Sequence, residues 1–346
     1  MRQLAGHLVC LALLAGCGGG VKLHAPDTYP TRLSEWGLFD ASADTLVISE
    51  QTRRYELNEP LFSDHALKLR TLYLPPGTAA RYVERDAFDL PVGSIVTKTF
   101  FYQRGAQGAY KRGAHRGRTI DRSRHDLVET RLLVRQADGW DALPYVWQGD
   151  EAVLDLTGEL IPMAFEDQNF VYSVPSRNEC GSCHVTDHTA GSLQPIGLKA
   201  RHLPAAFQQA LAAEQLLTAV PTDIPQAAPL NDPMASIDER ARAYLDINCG
   251  HCHNAQGAAD TSGLLLDYHT ESLRALGRCK PPIASGRGSG NRAYGIVPGA
   301  PDESILIYRM GTTAPGERMP EVGRALPHEQ GIEVLRQWIA QLPGQC

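Results

Sequence analysis

The sequence predicts an α+β multidomain protein in which an N-terminal antiparallel β-domain precedes mainly α domains. Residues 45–165 contain partly alternating segments rich in Leu, Val, Thr and aromatic residues, separated by Gly and Pro, as in antiparallel strands. Residues 231–346 contain two amphipathic segments with helical spacing. The length of 346 residues predicts about two domains, and 43% hydrophobic with 21% charged residues predicts a folded core.

The first 16 residues have the features of a bacterial lipoprotein signal peptide. A basic start is followed by an apolar run from Leu4 to Leu14, which is too short to span a bilayer. Small residues then precede Cys17, as in a lipobox whose cysteine is lipidated after cleavage. An ordinary signal peptide cleaved nearby is the alternative. Residues 17–44 would form a tether and lead-in to the folded domains. We expect a lipid-anchored envelope protein. Gly18 after the cysteine is typical of sorting to the outer membrane, where the protein would face the periplasm.

The predicted β-domain contains three clear candidate strands, Leu67–Leu74, Ile95–Tyr102 and Leu127–Val134. The segment between the second and third, Arg104 to Arg124, carries seven Lys or Arg residues against Asp121 alone. A solvated hairpin loop is the usual explanation of such a charge run. The alternative is a docking patch for an acidic redox partner. The formal net charge of −6 argues against a nucleic-acid partner.

Two pentapeptides indicate the cofactor. Cys180-Gly181-Ser182-Cys183-His184 and Cys249-Gly250-His251-Cys252-His253 both have the C-x-x-C-H pattern of c-type haem attachment. In that chemistry two thiols bond to the haem vinyl groups and the following histidine ligates the iron. The sequence therefore predicts two covalently bound haem c groups, anchored by Cys180, Cys183, Cys249 and Cys252, with His184 and His253 as proximal iron ligands.

Three other uses of these cysteines remain. A thiol–disulfide oxidoreductase normally carries its C-x-x-C beside a βαβ pattern, but here a predicted helix precedes Cys249. A four-cysteine zinc ribbon expects about 15–20 residues between its pairs, whereas about 65 residues separate these two. Two local disulfides would leave the histidines that follow without a role. Covalent haem explains the whole pattern.

The second pentapeptide lies in residues 231–346, which resemble a class I cytochrome c domain. An amphipathic segment, Ser236 to Asn248, leads into Cys249, and another, Glu329 to Leu342, ends the chain. A distal iron ligand is expected from the loop before the last helix. Met319, held in extended backbone by the proline that follows it, is the predicted ligand, with Met310 as its rival.

The first pentapeptide lies in residues 166–230, for which no Met-Pro follows. His202 is the candidate distal ligand of its iron, and Met163, Met234 and His65 are other candidates. An open sixth position is the alternative, and it would make that haem reactive.

The remaining cysteines of the predicted mature domains are Cys279 and Cys346. In an oxidising compartment they could join the loop after the second motif to the end of the chain. Free thiols are the alternative, and the disulfide is the prediction.

Several further segments carry a family resemblance that runs from about Thr31 to Cys346. They are Asn58–Asp64, Pro91–Ser94, Glu129–Leu133, Pro195–Arg201 and Glu317–Pro320. Through them the chain resembles the dihaem c-type cytochrome lipoproteins of Gram-negative bacteria, whose genes often lie beside one for a parallel β-helix repeat protein. More distantly it is similar to haem modules associated with quinoprotein sugar dehydrogenases. The resemblance implies electron transfer with a redox partner protein such as a periplasmic dehydrogenase.

The predicted function is electron transfer through two haems in the cell envelope. A dihaem peroxidase or oxidase with an open first haem is the alternative enzyme. In a third interpretation the β-domain is a binding module that holds the haems beside a partner or polysaccharide. The spin state of the haems separates the carrier from the enzyme.

Overall fold

The computed structural model describes residues 20–185 and 187–346, so the predicted signal peptide and the lipidation site at Cys17 lie outside the described residues. The strands, β1 to β14 in chain order, are Phe39–Ala41, Thr45–Ile48, Thr52–Tyr55, Leu67–Tyr73, Ala80–Arg81, Ile95–Arg104, Tyr110–Lys111, Thr119–Asp121, His125–Arg135, Trp140–Gln148, Glu151–Leu154, Glu159–Phe165, Gln168–Val174 and Leu217–Thr218. The helices, α1 to α5, are Arg177–His184, Ala205–Ala213, Ile237–Leu245, Ile305–Gly311 and Glu329–Gln341. None of these helices is long and apolar enough to cross a membrane.

A nine-stranded sheet, curled into a half-barrel, is the largest element. Along one path its order is β11-β10-β9-β6-β7-β12-β13, and β4 joins β6 to β3. The three strands predicted from the sequence are confirmed as β4, β6 and β9, which pair antiparallel at its centre. The sheet continues past residue 165, the predicted end of the β-domain, because β13 pairs with β12.

The two faces of this sheet differ. One face is covered by β1, β2, β8 and the short 3-10 helix Leu33–Trp36, and it buries a core around Trp36 and Tyr145. The opposite face is apolar at its two ends. Leu72 and Val96 pack there against the segment around α2, and Phe100 packs against β12 and β13. Between these ends the second face borders a large cavity.

The C-terminal region is built around two crossing helices, α3 and α5. Ser236 and Glu239 form a capping box that starts α3, which continues into a π-helical turn, Asp246–Gly250, before Cys252. Gly331 lets α5 approach α3 closely, since a Cβ there would lie 2.3 Å from the Tyr244 ring. Both helices predicted from the sequence are therefore present.

The predicted fold class is nevertheless wrong. The chain is mainly β, and residues 166–346 do not form mainly α cytochrome c-type domains. The described helices of that half have 7 to 13 residues, and no α-helix lies between α3 and α4. The reason is that Gly- and Pro-rich loops and short 3-10 helices occupy the long segments between the amphipathic ones.

The segment Asn58–Asp64, called here the bridging segment, joins the sheet to the C-terminal region. The carboxylate of Glu59 accepts the N–H of Leu230 at 2.8 Å. Asp64 accepts two N–H groups, from Ala325 and Leu326, each at 2.7 Å. These bonds fix the C-terminal region against one side of the sheet.

The basic segment 104–124 is less positive than its sequence suggests. Four of its arginines pair with carboxylates from outside it, which lowers the charge available to a partner. A docking role for this segment stays a prediction. The pairs are Arg104–Asp126, Arg112–Glu166, Arg118–Glu50 and Arg122–Asp150.

Candidate functional site

Both C-x-x-C-H pentapeptides line one cavity of about 1410 Å³ between the sheet and the C-terminal region. Cys180–His184 is called here the first motif and Cys249–His253 the second motif. All four cysteines are free thiols and both final histidines face the cavity. Clefts for small ligands usually have about 300–1,000 Å³, so this one can hold more than one ordinary ligand.

Helix α1 positions the first motif. Ser176 caps this helix: its hydroxyl accepts the N–H of Glu179, and the Glu179 carboxylate accepts the N–H of Ser176. This capping box fixes the first turn of the helix that carries the two cysteines. The Nδ1 of His184 donates to the carbonyl of Gln194 at 2.9 Å. That bond leaves Nε2 as the free ligating atom. Burial lowers the pKa of His184 to about 4, so its imidazole is neutral, as a metal ligand requires.

The second motif has more apolar surroundings. Cys249 packs against the core formed by α3, α4 and α5, and burial raises the pKa of its thiol to about 12. The carbonyl of His253 accepts the N–H of Leu266 at 2.7 Å, which fixes the turn after the motif. Burial also lowers the pKa of His253 to about 4. This histidine is therefore neutral as well.

The two motifs touch each other. The ligand atoms of Cys183, His251 and Cys252 all lie within 4.8 Å of one another. The Cys252 thiol also contacts the Ser182 carbonyl at 3.3 Å. The Cys252 thiol and the His251 imidazole lower the pKa of Cys183, which favours its reactive thiolate. Groups attached to the two motifs would therefore be neighbours.

The same cluster is a possible metal site. A structural zinc ion takes four ligands, and in the part of the chain that the structure describes only these three side chains meet here. Cys183 and Cys252 are also the second anchors of the two motifs. A metal ion on this cluster and covalent haem on both motifs therefore exclude each other.

The structure brings Met319 to the cavity. Its N–H donates to the carbonyl of Arg309 at 2.8 Å, and its carbonyl accepts from Arg324 at 2.9 Å. Met319 is half-buried at the cavity wall. The rival, Met310, also borders the cavity, but it is only 7% exposed and packs in the helical core. The arrangement favours Met319 as the side chain free to act as a ligand.

His202 lies at the cavity in a buried triad with Asp246 and Arg201. Its Nε2 bonds to Asp246 at 2.5 Å, and Arg201 donates twice to the same carboxylate. Burial raises the pKa of Asp246, but the bonds from His202 and Arg201 outweigh it and keep the pKa well below its usual value. The usual ligating nitrogen of His202 is thus engaged, while its Nδ1 has no partner among the described residues.

Cys279 and Cys346 form a disulfide with a Cα–Cα distance of 5.2 Å, as the sequence predicts. It lies in the C-terminal region, where it closes the loop after the second motif onto the chain end.

Sequence analysis missed a cationic patch on the sheet. Arg70, Lys98 and Arg131 come from three neighbouring strands and line the cavity beside the first motif. Glu129, which is fully buried, accepts two bonds from Arg131 and one from the Tyr172 hydroxyl. Burial, then Arg131 and Arg70, lower the pKa of Lys98 to about 7. The sequence signal was the presence of Lys or Arg within each of three otherwise largely apolar strands.

The donor set is compatible with covalent haem: each motif offers two free thiols and a neutral imidazole to a shared cavity. No protein-family model matches the sequence, and no curated protein or solved structure matches the chain. The family resemblance therefore stays a prediction. The functional argument rests on the residues of this site.

Proposed function

We propose that this protein is a dihaem c-type cytochrome that transfers electrons in the cell envelope. The observation that carries the proposal is that two separate C-x-x-C-H motifs line one cavity and touch through Cys183 and Cys252. Electron transfer needs cofactors that are close together. The proposal depends on the motifs and the cavity, and it does not require a cytochrome c fold.

Bound haem would supply a one-electron iron couple. Cys180, Cys183, Cys249 and Cys252 would hold it covalently, and His184 and His253 would ligate the iron. The bond from His184 to Gln194 orients that ring. Met319, fixed through its backbone, would ligate the second iron and exclude water from it.

The proposal extends to the location and the partner. An envelope position through a lipid anchor at Cys17 would suit haem attachment, and a periplasmic dehydrogenase is the proposed redox partner. Labelled palmitate supplied during expression would be incorporated by the wild type and not by the Cys17→Ser variant.

The deciding experiment is intact-mass analysis of the full chain expressed with the haem-attachment machinery. We expect the mass of two haems in the wild type, and of one haem in each of the double variants C180A/C183A and C249A/C252A. The matched control is C279A/C346A, which removes the other cysteine pair and should keep both haems. A wild type without haem that carries stoichiometric zinc would instead support a metal site at Cys183, His251 and Cys252.

The enzyme alternative has one observation in its favour. Asp246 engages Nε2 of His202, the candidate distal ligand of the first iron. A first haem without a sixth ligand would be five-coordinate and reactive. Electron paramagnetic resonance decides: two low-spin signals support the carrier, and one high-spin signal that responds to cyanide or peroxide supports a peroxidase or oxidase.

A further inference from the structure

The centre of the sheet carries three cations side by side. In the register of β4, β6 and β9, Arg70 lies opposite Lys98, and Lys98 lies opposite Arg131. Cross-strand neighbours have Cβ atoms about 4.5–5.5 Å apart, and like charges in such positions destabilise a sheet. Three cations in a row therefore require compensation.

Protein carboxylates compensate only part of this charge. Glu129 forms two hydrogen bonds with Arg131 and so neutralises it. Among the described residues, Arg70 and Lys98 form no hydrogen bond or ion pair, although Arg70 is only 7% exposed. A cation at a cavity wall that has no bonded carboxylate is stabilised when an anionic ligand binds beside it.

The other carboxylates at the cavity are engaged elsewhere. Asp64 is bound by the N–H groups of Ala325 and Leu326, and Glu179 belongs to the capping box of α1. Glu321 lies beside Arg309 at 3.6 Å. Arg70 and Lys98 therefore line the cavity without a bonded carboxylate among the described residues, so an anionic ligand there would hold both side chains in their charged forms.

We propose that Arg70 and Lys98 form a carboxylate-binding site for the propionate groups of the haem carried by the first motif. The inference rests on the proposed function, because it needs haem at Cys180 and Cys183. Arg131, whose charge Glu129 balances, lies beside Lys98 at the wall of this site. Arg70 and Lys98 are binding residues for the cofactor and take no part in its covalent attachment.

The test uses the holoprotein made with haem whose propionate carboxyl carbons carry ¹³C. Infrared difference spectra between the oxidised and reduced states then identify the propionate bands by their isotope shift. Arg70→Gln and Lys98→Gln should shift these bands, and Lys98→Arg should restore the wild-type positions. The control, Lys111→Gln, removes an exposed cation of β7 and should leave them unchanged.

A second readout is the reduction potential. Loss of one compensating cation favours ferric haem, and a tenfold change in the equilibrium constant corresponds to about 59 mV. We expect a decrease of this order for one haem in Arg70→Gln and Lys98→Gln, and none in Lys111→Gln. Folding should be retained, since each change removes a repulsion between neighbouring cations.

Intact-mass analysis distinguishes failure of the proposed function from failure of this inference. Wild-type protein without attached haem would overturn the proposed function. With two haems attached, unchanged propionate bands in both Gln variants would overturn this inference alone. Acetate is the probe for a free carboxylate: if it bound to the wild-type holoprotein and not to Lys98→Gln, the site would be open and the propionate assignment would be wrong.

Discussion

The same pentapeptide lies in two different environments in this molecule. The first motif lies on the charged centre of a sheet, beside Lys98 and Arg131. The second motif follows a helix and packs in an apolar core, and Met319, its proposed ligand, lines the cavity that both motifs share. The attachment chemistry is common to both, so the surroundings must determine how the two proposed haems differ.

This difference suggests a division of roles. An apolar pocket with a thioether ligand favours the reduced, less charged iron and raises its potential. A pocket with cations and with the candidate histidine held by Asp246 would give a haem on the first motif a separate potential and a different sixth ligand. We therefore expect two distinct potentials.

The largest effect should come from removing Met319. Met319→Ala would open the sixth position of the second haem and turn one of two low-spin haems high-spin. It would also lower the reduction potential of that haem, since axial ligands set haem potentials over about 0.8 V. Optical and paramagnetic resonance spectra measure both changes. Met310→Ala is the control: it should keep the spectrum but cost about 2–5 kcal/mol of stability, as core truncations do. The opposite pattern would make Met310 the ligand.

The sequence predicted the local features of this comparison and missed most of the long-range ones. The strands around Lys98 and the helix before Cys249 follow from periodicity and composition, and the disulfide of Cys279 follows from the two cysteines that remain in a predicted oxidising compartment. The row of Arg70, Lys98 and Arg131 depends on strand register, which no single segment encodes. The prediction of a mainly α C-terminal half was wrong because two amphipathic helices were taken as typical of a region that is mostly loop.

The next effect concerns the buried triad that joins the two environments. Asp246 lies just before the second motif in the chain, whereas Arg201 and His202 come after the first motif. Asp246→Ala would leave Arg201 buried without its anionic partner, with only the Arg85 carbonyl still bonded, and breaking a buried pair costs about 3–5 kcal/mol. Chemical unfolding of the holoprotein measures this loss. Asp302→Ala breaks an exposed pair with Arg336 and should change stability little. Equal effects of the two variants would show that the triad is not a stabilising link.

Removing the disulfide should affect the two proposed haems differently, because the disulfide lies in the region of the second motif only. Cys279 and Cys346 are 67 positions apart, and closing such loops stabilises proteins by about 2–4 kcal/mol. C279A/C346A should lower the unfolding midpoint and broaden the spectrum of the Met319-ligated haem, while leaving the first haem unchanged. Paramagnetic resonance of the oxidised wild type and of the oxidised variant checks this selectivity. A change confined to the first haem would contradict the assignment of the disulfide to the second region.

The last effect, which appears only as the pH is raised, is at the bridging segment, where Glu59 connects the sheet to the second region. Burial raises the pKa of Glu59 to about 7, although the hydrogen bond from the Leu230 N–H lowers the pKa in part. The folded protein therefore prefers the protonated carboxyl. Its contribution to stability is complete below about pH 4.5 and is lost as the pH rises through about 7. At about 1.36 kcal/mol per pKa unit, this loss is on the order of 3 kcal/mol.

Glu59→Gln keeps an acceptor for the Leu230 N–H but cannot ionise, so it should flatten this part of the profile. The variant should gain stability over the wild type at pH 8 and not at pH 4.5, in denaturant unfolding of the holoprotein. Glu84→Gln, at an exposed position, should follow the wild-type curve at both pH values. Parallel curves for Glu59→Gln and the wild type would mean that Glu59 stays ionised at its contact with Leu230. The two regions would then be joined by a charged contact rather than a neutral one.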